Sequence, residues 1–164
     1  MGCDIHGYIE YEDYTDNTGK VHWSCFGGRI SNRDYLMFGL LANVRSDGCI
    51  YQPRGIPEEL SFKVFEDFHL FISEKYPEGD GNTSPESAAK WVQSGYSKYA
   101  KDKKYVTHPD WHTPSWLTTD EYKEVLNARE TSVNPGWEID QKWYGILGAM
   151  EALKTPRFVF WFDN

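Results

Sequence analysis

The chain has 164 residues, a length suited to one domain spanning 1–164, and with 40% hydrophobic and 26% charged residues its composition is that of a globular protein. A formal net charge of −8 argues against a duplex nucleic-acid binder, which needs a basic face for phosphates, and against docking on an anionic membrane. Cys3, Cys25 and Cys49 form no CxxC pair, which argues against a disulfide framework or a four-cysteine zinc site; with no apolar run near the ~20 residues of a membrane span and no signal-like start, the expected location is the cytoplasm.

Residues 3–12 alternate, with Cys3, Ile5, Gly7, Ile9 and Tyr11 on one face and Asp4, His6, Tyr8 and Glu10 on the other. Period two predicts a strand with one buried face. A turn over Asp13 to Lys20 and a second strand over Val21 to Phe26, ended by Gly27-Gly28, make a hairpin. Ser31 is a candidate cap for a helix from about Asn32 to Ala42, and residues 45–57 read as a long loop. Val64, Phe65, Phe68, Phe71 and Ile72 recur at helical spacing and predict a helix over Ser61 to Tyr76. After a linker over 77–85, Ser84 caps a short helix with Pro85 at its first position.

Residues 95–117 carry no period. Thr118 and Glu121 form a capping box for the next helix. Ile139, Trp143, Ile146, Leu147, Met150 and Leu153 mark a last helix over about Glu138 to Leu153, which Pro156 ends. Arg157 to Phe162 is apolar enough for a strand buried on both faces. The expected fold is α+β: a small, mainly antiparallel sheet, made of the N-terminal hairpin plus the C-terminal strand, with four to five helices on one side.

Four groups of residues can carry chemistry. Asp4 and His6, two apart on a strand, project to the same side and suit metal ligation or acid–base work. The run His108-Pro-Asp-Trp-His112 cannot be a helical zinc motif because of Pro109 and Pro114, which leaves its histidines as loop ligands. Arg45 and Arg54 flank a loop suited to gripping a phosphate or carboxylate, with Asn43, Ser115 and Trp116 as further ligand-binding candidates. Asp163 follows the last strand and approaches the first if the two pair. Each group also has an ordinary structural explanation: an exposed strand face, a Pro-ordered loop, surface ion pairs, a solvated terminus. The 16% aromatic content fits either a ring-rich core or a pocket of stacking platforms.

The opening Met1-Gly-Cys-Asp-Ile-His6 resembles the start of a family of phage and prophage proteins. The resemblance continues in Arg33-Asp-Tyr35, Leu41-Ala-Asn-Val-Arg45, Pro53-Arg-Gly-Ile-Pro57, His112-Thr-Pro-Ser-Trp-Leu117 and the ending Arg157-Phe-Val-Phe-Trp-Phe-Asp-Asn164. It brings no activity. It singles out Asp4, His6, Asn43, Arg45, Arg54, His112, Ser115 and Asp163, and it favours His112 over His108.

Three functions stay open. The first is a small-molecule binding protein, with rings stacking a base and Arg45 and Arg54 holding phosphates; in a phage setting its ligand would be a nucleotide-derived host defence signal. The second is a metal-dependent phosphoesterase, in which Asp4, His6, His112 and Asp163 hold a divalent metal and Asp4, His6 and His112 carry the catalysis. The third is a protein–protein inhibitor of a host factor.

Overall fold

A computed structural model describes residues 2–76, 78–132 and 138–164. In chain order the elements are β1 (Ile5–Thr15), β2 (Val21–Asn32), α1 (Tyr35–Ala42), α2 (Phe62–Phe68), β3 (His69–Ile72), β4 (Glu78–Gly79), β5 (Asn82–Thr83), α3 (Pro85–Gln93), β6 (Tyr99–Ala100), β7 (Tyr105–Thr107), β8 (His112–Thr118), α4 (Thr119–Thr131), α5 (Gln141–Glu151) and β9 (Arg157–Phe162). The fold is α+β.

The principal sheet is antiparallel, in the order β2-β1-β9-β8. The first and last strands pair, Ile5 facing Phe162 and Glu10 facing Arg157. Strand β9 lies between two neighbours and every one of its residues is buried. Its Phe158, Phe160 and Phe162 join Cys3, Ile5 and Ile9 in a core with Phe38, Leu41, Tyr122, Val125, Trp143, Ile146 and Met150 from α1, α4 and α5. Removal of each such ring from water contributes roughly 1.5–3 kcal/mol.

The second face is covered as well, contrary to the expectation of one buried face and helices on one side. Tyr8, Val159 and Trp161 pack against Val64 and Phe68 of α2, with Leu60, Trp111 and Trp116 around them. The hydrophilic side of β1 is therefore interior, with His6 6% exposed and Glu10 fully buried.

Three element boundaries differ from the sequence reading. Gly27-Gly28 does not end β2; a register shift between Gly7 and Ile9 absorbs extra residues, and the strand runs on to Asn32. Ser31 consequently pairs with His6, and the cap of α1 is Asp34, whose carboxylate accepts from the Met37 amide. The helix predicted from Ser61 to Tyr76 stops at Phe68, and the chain turns extended as β3. The unplaced stretch 95–117 supplies its antiparallel partner, β7, in a second sheet ordered β4-β5-β3-β7-β6. Ser84, Pro85 and the Thr118–Glu121 capping box stand as read. Of the predicted 77–85 linker, Pro77 lies outside the described residues, and Asn82–Thr83 form β5.

Candidate functional site

Pairing of β1 with β9 brings several of the predicted polar residues together at one end of the principal sheet, around Asp163. The Asp163 amide donates to the Asp4 carbonyl at 3.1 Å, and its Oδ1 accepts from the Asp4 amide at 2.7 Å. Its Oδ2 lies 2.8 Å from His6 Nε2. Its carbonyl lies 3.2 Å from His112 Nε2. A carbonyl only accepts, so His112 Nε2 donates to it, and Nδ1 lies 2.9 Å from the Thr113 hydroxyl.

Residues 112 and 115 would face opposite ways on a regular strand. A register shift between them, with Thr113 at φ 49°, turns both toward one side, opposite Phe162 and Phe160. Pro114 is tolerated because β8 is an edge strand.

The cluster is engaged internally. Asp4 is held in a two-pronged ion pair by Arg33, Nε to Oδ1 at 2.7 Å and Nη2 to Oδ2 at 2.8 Å, and these bonds keep its carboxyl below the usual range. His6 Nδ1 is buried without a hydrogen-bond partner, and the Trp111 ring sits 4.6 Å from the imidazole. His108 stacks on the same Trp111 indole, at 4.3 Å. Among the described residues, no three His, Cys, Asp or Glu side chains are grouped to hold a metal ion.

The two-arginine loop divides. Arg45, at φ 62°, has its guanidinium beside the Cys3 thiol, whose pKa burial raises and Arg45 partly lowers. Arg54 pairs with Glu121 at 2.8 Å and lies over the Trp116 ring at 4.6 Å. Asn43 adopts φ 55° at the end of α1 and accepts from the amides of Gly48 and Cys49. Ser115 is 1% exposed and accepts from the Arg54 amide at 3.2 Å. Asn43 and Ser115 thus have local structural work that explains their side chains.

A cleft of about 640 Å³ opens elsewhere, and none of the residues singled out above lines it. Its walls are the β1–β2 hairpin (Tyr14, Lys20, His22, Trp23), the segment 56–60, Phe62 and Phe65 of α2, His69, and the β6–β7 hairpin at Ala100 and Lys101. That volume lies within the ~300–1,000 Å³ of small-molecule sites. Six of the lining side chains carry aromatic or imidazole rings, at positions 14, 22, 23, 62, 65 and 69. Tyr14 and His22 stack at 4.4 Å with 6° between planes, and Phe65 stacks on His69 at 4.2 Å. Lys101 Nζ sits 4.8 Å from the Phe65 centroid, and Lys20 pairs with Glu59 at 3.5 Å.

Behind this wall lies a buried ion pair. Glu10 accepts from Arg157 Nε at 2.8 Å and from the Ser61 amide at 2.7 Å, and Arg157 also donates to the Glu59 carbonyl. The Arg157 guanidinium stacks on the Trp23 ring, 3.6 Å from its centroid. The pair therefore fixes both the indole and the 59–61 backbone, two walls of the cleft.

Sequence reading missed these walls because they come from three stretches far apart in the chain, 14–24, 56–69 and 100–101. The single available signal was an aromatic or His at 14, 22, 23, 62, 65 and 69 in stretches read only as hairpin and helix. No family model, curated protein or solved structure matches the chain.

Proposed function

We propose that this chain is a small-molecule binding protein whose ligand carries a flat ring and phosphate, and that the ligand occupies the cleft between the β1–β2 hairpin and α2. The observation that carries this reading is the ring-lined cleft of about 640 Å³ with Lys20, Lys101 and two imidazoles among its walls. Rings offer π-faces to a base of any identity, and ammonium groups at the margin suit phosphate oxygens. A nucleotide meets both requirements. Phe62, 75% exposed at the first position of α2, is a ring that packing does not require and a ligand would cover.

The resemblance to phage and prophage proteins supports a setting in a host cell, where a nucleotide-derived defence signal has this chemistry and sequestration is the effect of binding alone. The metal-dependent alternative has less support: Asp4 is taken up by Arg33 and His6 is closed to a substrate.

Thermal denaturation of the chain against a panel of mono-, di- and cyclic nucleotides tests the reading. A ligand at ~100 times its Kd adds about 2.7 kcal/mol of stability, which raises the midpoint by several degrees. Phe62→Ala, at an exposed position, leaves the ligand-free midpoint near the original and abolishes most of the shift. A panel in which no nucleotide moves the midpoint overturns the proposal.

A further inference from the structure

The β6–β7 hairpin closes through Lys101, Asp102, Lys103 and Lys104, with the Lys104 amide donating to the Lys101 carbonyl at 3.1 Å. Lys101, Asp102 and Lys103 have φ of 49°, 55° and 63°. Three successive non-glycine residues in the left-handed region are strained, and glycine would relieve the strain at each. Strain of this kind collects where a loop must present particular side chains. The side chains presented here are lysines. With Lys98, four of them fall within seven residues, against Asp102 alone, in a chain of net charge −8.

The hairpin is also part of the cleft, since Ala100 and Lys101 line it. Inside the cleft the lysines Lys20 and Lys101 are balanced by Glu58 and Glu59, whereas past its lip the charge turns positive. A lane of rings leaves the cleft along the same face of the second sheet. Phe65 meets Tyr105 at 4.9 Å, and Tyr105 meets Phe71, its cross-strand partner, at 5.3 Å. Phe71 is 41% exposed. The next lysine, Lys103, lies over Tyr99 at 5.7 Å on the other side of the hairpin.

Rings in series beside a basic tip are the parts of a single-strand nucleic-acid site: stacking along the bases and cations along the phosphates. We infer that the cleft is the first subsite of a surface for short single-stranded oligonucleotides, with the 101–104 tip on the phosphate chain and Phe71 on a following base. This rests on the cleft being a nucleotide site and extends it from a monomer to an oligomer. The acidic remainder of the surface restricts contact to this strip, so duplex binding does not follow.

Fluorescence anisotropy with labelled hexathymidylate, and thermal shift with thymidine monophosphate, test it on the whole chain. The hexamer is expected to bind at least tenfold more tightly than the monomer, with a log–log salt slope of about −2, near −0.7 for each phosphate neutralised on a single strand. Lys103→Gly with Lys104→Ala should raise the melting midpoint, because strain at 103 is relieved, yet weaken the hexamer about tenfold and flatten the slope. Phe71→Ala should weaken the hexamer and leave the monomer unchanged. Equal binding of monomer and hexamer, unmoved by these variants, overturns the inference and spares the cleft reading. Displacement of the hexamer by heparin or polyphosphate at equal affinity overturns it in favour of an unspecific polyanion surface. Absence of hexamer binding overturns the inference, whereas the cleft reading falls only if the whole nucleotide panel also leaves the midpoint unmoved.

Discussion

Arg157 lies with its guanidinium on the face of the Trp23 ring, 3.6 Å from the centroid, while its nitrogens turn to the fully buried carboxylate of Glu10. The two ends of the chain are tied by this contact, and the cleft's indole wall is set by it. Burial lowers the Arg157 pKa, and the Glu10 charge works against that shift, so each ion depends on the other. Glu10→Gln keeps the shape and removes the charge. Loss of one partner of a buried pair costs about 3–5 kcal/mol. Urea denaturation should show a loss of that size, and a change under 1 kcal/mol would mean that the pair is unimportant to stability.

Gly7 sits in β1 under the edge of the Phe158 ring, where an added Cβ would lie 2.6 Å from Cε2 and Cζ. Phe158 is fully buried and stacked on Phe160 at 5.4 Å, so it has no free direction in which to retreat. Gly7→Ala therefore overpacks the core, at a cost of about 1–3 kcal/mol. Denaturant titration reads the loss directly, and an unchanged midpoint would show that the ring can shift.

Asp163 accepts from the Asp4 amide and from His6 through its two carboxylate oxygens. Asp163→Ala leaves both donors without that acceptor, and His6 is 6% exposed, with little water to replace it. An orphaned buried donor costs roughly 1–3 kcal/mol. The expected signature is faster amide exchange at Asp4 and a lower midpoint, with nucleotide shifts in the distant cleft unaffected. Loss of nucleotide binding in this variant would link the two places and contradict their separation.

Burial depresses the pKa of His69 below its ordinary 6.5, with the Phe65 carbonyl hydrogen bond opposing; burial depresses His108 in the same direction, with the Asp110 charge opposing. For such groups the unfolded chain binds more protons than the folded one in the interval between the two pKa values. Their contribution is complete above pH 6.5 and is lost as pH falls toward the folded values. Denaturation midpoints measured from pH 7.5 to 5.0 should decline below pH 6.5. The decline should be shallower in His69→Gln and in His108→Gln, and an equal slope in all three proteins would remove these imidazoles as the cause.

Much of the fold is legible in short-range patterns. The alternation of residues 3–12, the capping box at Thr118 and Glu121, Pro85 after Ser84, and the apolar run 157–162 each specify a local structure that the chain adopts. The approach of Asp163 to the first strand was an expectation from strand pairing, and the β1–β9 register brings it to Asp4 and His6; His112, in the stretch that carried no period, reaches the Asp163 carbonyl through the β8–β9 pairing.

Tertiary contacts alone determine the rest. Phe71 and Ile72 keep helical spacing with Phe65 and Phe68, but a strand partner from residues 105–107 competes for their backbone and wins. Glu10 reads as solvent-facing until Arg157, 147 residues away, and the Ser61 amide at the start of α2 both donate to its carboxylate. The cleft has no local signature, because its walls arrive from separate segments and periodicity records only which way each residue faces, not which distant residue it will meet. By itself the sequence determined the N-terminal hairpin, the five helical segments and the pairing of the chain's two ends; the three-dimensional packing decided where α2 gives way to strand, the whole second sheet, which polar residues were sequestered and where an open space remained.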